Sequence, residues 1–266
     1  YDIPEVVMVL TSGGTLFLLG TAKKLAFLAP LSSPPEGSAL TVRLLQRSKE
    51  DGNAANFRAI LDECGGEGVA VLKKDSNASA FMDTWTAALA ESGELGDATP
   101  GISGFLAVKT SAELEVVKKA GVLTNKILKQ AFVPEMEAVI DEGRKVTHEK
   151  LAEKVNGVIE DPMKIKIKVA KDDVEACFFP IIQSGGSYDV KVSATSNTEV
   201  MKFDAIICSI GARYQNYCTS MTRTYLVDPP QKVSDTYKLL TETHDACLAV
   251  MKPGNTLSQV YEEASA

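Results

Sequence analysis

Ser209-Ile210-Gly211-Ala212-Arg213-Tyr214-Gln215-Asn216-Tyr217-Cys218-Thr219-Ser220-Met221-Thr222-Arg223-Thr224-Tyr225 is the stretch that decides the fold. The chain enters it through Asp204, Ala205, Ile206, Ile207 and Cys208. A short apolar run with β-branched residues reads as a buried strand. Gly211-Ala212-Arg213 is expected to turn that strand into a second extended segment, 214–226. Thr and Tyr recur there, and both favour a pleated surface. The segment therefore reads as strand, turn, strand.

The flanking chain is read by periodicity. Residues 164–169 alternate Lys-Ile-Lys-Ile-Lys-Val, the pattern of a half-buried strand with its lysines in water. Thr110 and Glu113 have the spacing of a capping box, in which each side chain satisfies the other's free backbone N–H. The helix after it is expected to place Leu114, Val117, Gly121, Thr124, Leu128 and Ala131 along one stripe, with Gly121 and Thr124 packed close to a neighbour. Thr147 can cap a second helix that shows Leu151, Val155 and Val158 on one face. Residues 235–251 form a helix stopped by Pro253-Gly254, and 256–266 begin another.

The first hundred residues alternate short strands and helices. Segments 6–10 and 15–19 flank Ser12-Gly13-Gly14 and read as a hairpin. Residues 32–37 form a Pro-rich loop, 40–46 a strand, and 53–64 a helix with Phe57, Ile60, Leu61 and Cys64 on one face. Gly65-Gly66 stops that helix. A strand at 69–72 and a helix at 80–90 follow, with the single Trp, Trp85, as a packing residue. Residues 92–101 are rich in Gly and Pro and read as a linker. Two lobes result, 1–106 and 107–266, in an α/β chain.

Composition removes several functions. The longest apolar runs are strand-length, well short of the roughly 18 residues a membrane span needs. No basic region precedes an apolar one at the start, so no signal peptide is read. The chain opens on Tyr1-Asp2-Ile3-Pro4 and reads as an excerpt of a longer protein. The net charge of −7 argues against the footprint of a duplex-binding domain. It suits a basic partner as well as plain solubility. Five cysteines with no CxxC spacing read as reduced thiols of the cytosol or nucleus. No P-loop, His-Glu-x-x-His, Gly-x-Ser-x-Gly or EF-hand pattern occurs, and no cofactor is expected. The two histidines, His148 and His244, both fall in expected helices and read as structural or surface residues.

With these residues in hand, 209–225 resembles the strand-turn-strand of the pita-bread metallopeptidases: aminopeptidase P, prolidase, methionine aminopeptidase and creatinase. Their pattern is Asp-x-Gly, a Tyr, then Asp-x-Thr-Arg-Thr, and the two Asp hold a pair of divalent metals. Gly211, Tyr217, Thr222, Arg223 and Thr224 match it. The ligand positions hold Ser209 and Ser220, and a neutral hydroxyl is a poor substitute for a carboxylate on a hard dication. The run Phe178 to Gly186 resembles the family's cleft segment ending in Ser-Gly. Active members place a His a few residues later, where this chain has Tyr188-Asp189-Val190-Lys191-Val192.

Within the superfamily, the resemblance narrows to the N-terminal domain of the large subunit of FACT-type histone chaperones. Five stretches carry it: Gln183 to Asp189, Cys208 to Tyr214, Val146 to Glu153, Phe105 to Lys109, and Ile3-Pro4. It implies a two-lobed pita-bread (creatinase/aminopeptidase P-like) fold, truncated at both ends, with no metal and no catalysis. The implied partners are core histones or histone tails, and a second FACT subunit reached through the rest of the protein. The implied location is chromatin in the nucleus, with no membrane and no sequence-specific nucleic acid. The cleft lining it implies is Gln183, Ser184, Gly185, Tyr214 and Arg223. Two other readings stay open: an active metallo-aminopeptidase or creatinase-like hydrolase, and a purely structural interaction domain.

Overall fold

The computed structural model describes residues 3–34, 36–65, 68–73, 78–191 and 193–266. Pro35, Gly66 and Val192 fall outside these. The loop at 32–37, the Gly65-Gly66 stop and the run 188–192 are therefore described only in part. The chain forms two compact units, Tyr1–Val108 and Lys109–Ala266.

In the first unit, β1 (Val7–Leu10) and β2 (Thr15–Gly20) pair antiparallel as the expected hairpin. After α1 (Ala22–Leu28) and a single turn of tighter helix, β3 (Thr41–Gln46) pairs parallel with β2. Next come α2 (Ala54–Glu63), β4 (Val69–Val71) and α3 (Ala80–Glu91). The core joins Val7, Phe17 and Leu19 of the sheet to Phe57 and Ile60 of α2 and Phe81, Trp85 and Leu89 of α3. Trp85 packs on Phe57, with ring centroids 5.2 Å apart. The expected linker is largely ordered: β5 (Leu95–Asp97) pairs parallel with β4, and α4 (Thr99–Ala107) follows directly. Pro100 sits in the first turn of α4, where its missing N–H costs no helical bond, and Asp97 Oδ1 accepts the Thr99 N–H.

The second unit opens on α5 (Ser111–Ile127), whose Thr110–Glu113 capping box is formed as expected. Its buried face is Ala120, Leu123, Thr124 and Ile127, rotated from the expected stripe, and Leu114 is exposed. A Cβ at Gly121 would meet nothing within 4 Å, so the close packing rests on Thr124. A wide π turn, Leu128–Phe132, joins α5 to α6 (Val133–Asp141). Pro134 enters α6 at its start without an N–H to bond back, a common reason for a helix to widen there. Thr147 caps α7 (His148–Ile159), which buries Leu151, Val155 and Val158 as expected and His148 as well.

Residues 164–169 do not form a strand. Pro162–Ile165 is a turn of 3-10 helix and Lys166 takes a left-handed φ of 62°. Ile165, Ile167 and Val169 still pack against the core while the lysines between them are exposed. The expected alternation is real in burial but has no partner strand.

Two small sheets follow α7 in the unit. β6 (Val174–Ala176), β7 (Ile181–Gln183), β8 (Ala205–Ile210), β9 (Ala212–Tyr214), β10 (Tyr217–Cys218) and β11 (Met221–Leu226) form two three-stranded ladders, β10-β9-β6 and β11-β8-β7. Strand-turn-strand is right, but Gly211 is not the turn. The reversal lies at Gln215 and Asn216, whose φ values of 45° and 72° are the two positive values that suit a tight hairpin. Gly211 is instead a point of close approach: a Cβ there would sit 2.6 Å from the Thr219 carbonyl oxygen and 2.7 Å from the Phe178 ring. Ile206, Cys208, Ile210 and Ile182 face a core shared with α5, the π turn, α6 and α7. The final helices are α8 (Gln231–Val250), four residues longer at its start than expected, and α9 (Leu257–Ser265).

Candidate functional site

The register of β7, β8 and β11 sorts the site residues by face. Ile181 and Thr222 lie opposite Ser209, and Gln183 and Thr224 lie opposite Ile207. Paired residues share a face of a sheet, so these six form one surface, opposite the core. Met221, Arg223 and Tyr225 pair with Ile210, Cys208 and Ile206, which are fully buried in the core.

Ser209 Oγ is hydrogen-bonded to Thr222 Oγ1 at 2.9 Å. Ser220, just before β11, is exposed. Both positions offer neutral hydroxyls, and among the described residues no three His, Cys, Asp or Glu side chains converge. This donor set does not fit a hard dication, which needs several oxygen ligands and anionic ones among them.

The five expected lining residues are not one lining. Gln183 faces the Ser209 surface, and its amide grips the backbone of Asp189, accepting the N–H at 2.7 Å and donating to the carbonyl at 2.8 Å. Ser184 is buried, with its hydroxyl already engaged. Gly185 has a φ of 96° and donates its N–H to Asp204 Oδ1. A Cβ there would press on the Lys202 chain at 2.9 Å. Tyr214 belongs to β9, in the other ladder, and packs against the core. Arg223 is exposed but stands on the helical face of the edge strand, opposite Cys208, and donates to the Thr222 carbonyl. The reason is register: neighbours on a strand point to opposite faces, so Thr222 and Arg223 cannot both line one surface.

A polar network missed by the sequence reading lies behind Ser184. His148, the first residue of α7, is 1% exposed. Its Nδ1 meets Asn197 Oδ1 at 2.6 Å and its Nε2 meets Ser184 Oγ at 2.8 Å. Ser184 Oγ also accepts the Lys202 N–H at 2.9 Å, and Asn197 Oδ1 the Glu199 N–H at 3.1 Å. The free N–H groups of His148 and Glu149 at the helix start donate to the Glu199 and Asn197 carbonyls. Ser, His and Asn in this order have the connectivity of a nucleophile, base and orienting group. Burial removes that use, because neither Ser184 nor His148 has a face open to a substrate. The network is a joint that ties the start of α7 to the end of β7 and to the segment 197–202. Only the Thr147 cap hinted at it in the sequence.

A second joint is charged. Glu113 accepts the Thr110 N–H and also the Tyr217 hydroxyl. The Tyr217 hydrogen bond, then those from Thr110, hold the Glu113 carboxyl down at about 2. A third joint is neutral: buried Thr124 Oγ1 accepts the Ala212 N–H at 3.3 Å and meets Thr219 Oγ1 at 2.6 Å.

Residues 115–266 match metallopeptidase family M24, and residues 1–101 match the family described as FACT complex subunit SPT16 N-terminal lobe domain. Among curated proteins, the chain is 35% identical over 282 residues to the FACT complex subunit SPT16 of Oryza sativa subsp. japonica. That alignment covers 99% of this chain and 26% of the relative, so the chain spans about a quarter of that protein's length. Among solved structures, the N-terminal domain of FACT complex subunit SPT16 from Cicer arietinum is similar at a TM-score of 0.86 and 33% identity. The match covers 99% of this chain and 64% of that one. X-Pro aminopeptidase from Thermotoga maritima shares the fold at a TM-score of 0.70 and 15% identity, covering 97% of this chain and 66% of that one. The fold is thus the two-lobed pita-bread fold, as expected. Among the described residues, no helix is long and apolar enough to cross a membrane.

Proposed function

Because the chain belongs to metallopeptidase family M24 and opens on the SPT16 N-terminal lobe, we propose that it is the non-catalytic binding domain of a FACT-type histone chaperone. The observation that carries this reading is a neutral hydroxyl at each of two positions, Ser209, bonded to Thr222, and exposed Ser220. Hydrolysis in this fold needs two metals to polarise the scissile carbonyl and generate the attacking water. Ser209 and Ser220 stand where the resemblance puts two metal-binding Asp. Two neutral hydroxyls leave that pair of ions without its anchoring charge. What remains is a sheet surface with hydroxyls at Ser209, Thr222 and Thr224, an amide at Gln183 and apolar patches at Ile181 and Ile207. Such a surface offers hydrogen bonds and apolar contact to an extended peptide.

In this proposal the partners are core histones or their tails, drawn to a chain of net charge −7. The second FACT subunit is held by other parts of the full-length protein, and the setting is nuclear chromatin during transcription and replication. Of the expected cleft residues, Gln183 stays in the proposed contact surface. Ser184, Gly185, Tyr214 and Arg223 act as its supports.

The test has two arms. After dialysis against manganese, the purified domain should retain no stoichiometric metal and cleave no X-Pro peptide above background. One or two ions per chain, with turnover abolished by a chelator, returns the hydrolase reading. In the second arm, fluorescence anisotropy with labelled histone-tail peptides should show saturable binding weakened by Thr222→Arg. A surface contact between opposite charges should also fade as salt rises. Absence of binding to any core histone or tail favours a purely structural interaction domain instead.

A further inference from the structure

Two thiols share the outer face of the β10-β9-β6 ladder. Cys218 and Glu175 both lie opposite Arg213 on the central strand. Cys177, one residue beyond β6, donates its N–H to the Gly211 carbonyl at 3.0 Å. Residues two apart on a strand share a face, so Cys177, Glu175, Arg213 and Cys218 all project from one side. Ala212, Val174 and Tyr214 take the other side, against the core. On the central strand, the position on this outer face next to Arg213 and opposite Cys177 is Gly211, so no side chain stands there.

Cys177 sits over that position together with the Thr219 carbonyl and the edge of the Phe178 ring. The Cys177 Cβ lies 3.1 Å from where a Gly211 Cβ would be, and its Sγ is 3.6 Å from the Thr219 carbonyl oxygen, the residue after Cys218. The two thiols feel one another: burial first, then the Cys218 thiol, push the Cys177 thiol up to about 11. Cys218 is exposed and Cys177 half-buried. The peptide-binding reading uses neither.

We propose that Cys218 and Cys177 are a reversible redox pair that closes to a disulfide over Gly211 when a small disulfide such as oxidised glutathione is present. Exposed Cys218 reacts first. Its thiolate attacks one sulfur of glutathione disulfide, the S–S bond breaks, and one glutathione thiolate leaves. The Cys177 thiolate then attacks Cys218 Sγ, forms the Cys177–Cys218 bond and expels the second glutathione thiolate. Two protein thiols are oxidised, one glutathione disulfide is reduced, and both protons end on the two glutathione thiols. Closure brings the two Cβ atoms to within about 4.5 Å. In a reducing compartment the pair rests open. When closed, it staples the outer strand of the β9–β10 hairpin to the end of β6.

The experiment oxidises the folded 266-residue chain with oxidised glutathione, quenches with acid and alkylates, then maps linked peptides by tandem mass spectrometry. The expected product joins Cys177 to Cys218. Titratable thiols fall by two from the five of the chain and return with dithiothreitol. Cys177→Ser should stop at a glutathione adduct on Cys218, and Cys218→Ser should give no linked peptide. Wild-type protein that accumulates the Cys218 adduct with no linked peptide overturns the proposal. So does a linked peptide joining any other pair of cysteines.

Discussion

Replacing His148 with alanine tests the buried joint most directly. Each ring nitrogen makes one hydrogen bond, to Asn197 and to Ser184. Both partners keep another donor after the ring is removed, the Glu199 and Lys202 N–H groups respectively. The loss is therefore that of two ordinary hydrogen bonds, about 1 kcal/mol each: with Nδ1–H donating to Asn197 Oδ1, Nε2 accepts the Ser184 hydroxyl, which loses that acceptor. Deleting a fully buried ring adds a cavity term of roughly 2 kcal/mol. The expected total is about 3–4 kcal/mol, a large share of the roughly 5–15 kcal/mol that keeps a domain folded. His148→Leu keeps most of the volume and should lose only the hydrogen-bond part, about 2 kcal/mol. Urea unfolding followed by far-UV circular dichroism measures both, since Trp85 sits in the first unit and its fluorescence reports that unit. Exposed His244→Ala is the control, expected within about 0.5 kcal/mol of wild type. If His148→Ala and His148→Leu both cost less than about 1 kcal/mol, the network does not hold the unit together and the reasoning fails.

Two further outcomes follow from the other joints. Glu113 is held at about 2 in the folded chain, below its ordinary 4.5, so it favours the folded state above pH 4.5 and loses that contribution as pH falls toward 2. The melting temperature of Glu113→Gln should therefore depend less steeply on pH in that window than that of wild type, and parallel curves refute the assignment. Thr124→Val keeps the shape of a buried side chain but leaves the Ala212 N–H without its acceptor. It should cost about 1–3 kcal/mol, read as a shifted urea midpoint with an unchanged slope.

Much of the fold was legible because burial writes itself into periodicity. β1, β2, α2, α3, α7 and the strand entering Gly211 all carried their patterns in plain view. The turn was misplaced because Gly211 looked like the natural reversal, whereas Gln215 and Asn216 adopt the positive φ values. That error propagates to the site. Without the turn there is no register, and without register Thr222 and Arg223 cannot be assigned to opposite faces of β11. Residues 164–169 show a second limit: alternation records which side chains are covered, not whether a neighbouring strand exists. The absence of carboxylates at Ser209 and Ser220 needed no structure at all. The His148 joint did, since Ser184 and Asn197 lie 36 and 49 residues from it in sequence.

The hydrogen bond between Tyr217 and Glu113 spans 104 residues of chain, and it sets an order on folding. The capping box of α5 is local and can form as soon as its own turn exists. The β9–β10 hairpin is also local, closed by a two-residue turn. Their meeting is not local: the hairpin must arrive with Tyr217 presented to a carboxylate already fixed by Thr110. Contacts of such separation are made late and slowly, because the intervening loop must close first. Within Lys109–Ala266, the start of α5 is thus a docking point prepared early for a strand pair synthesised about a hundred residues later. A ribosome-bound chain that has emerged only as far as β8 would carry the cap but not the tyrosine that completes it.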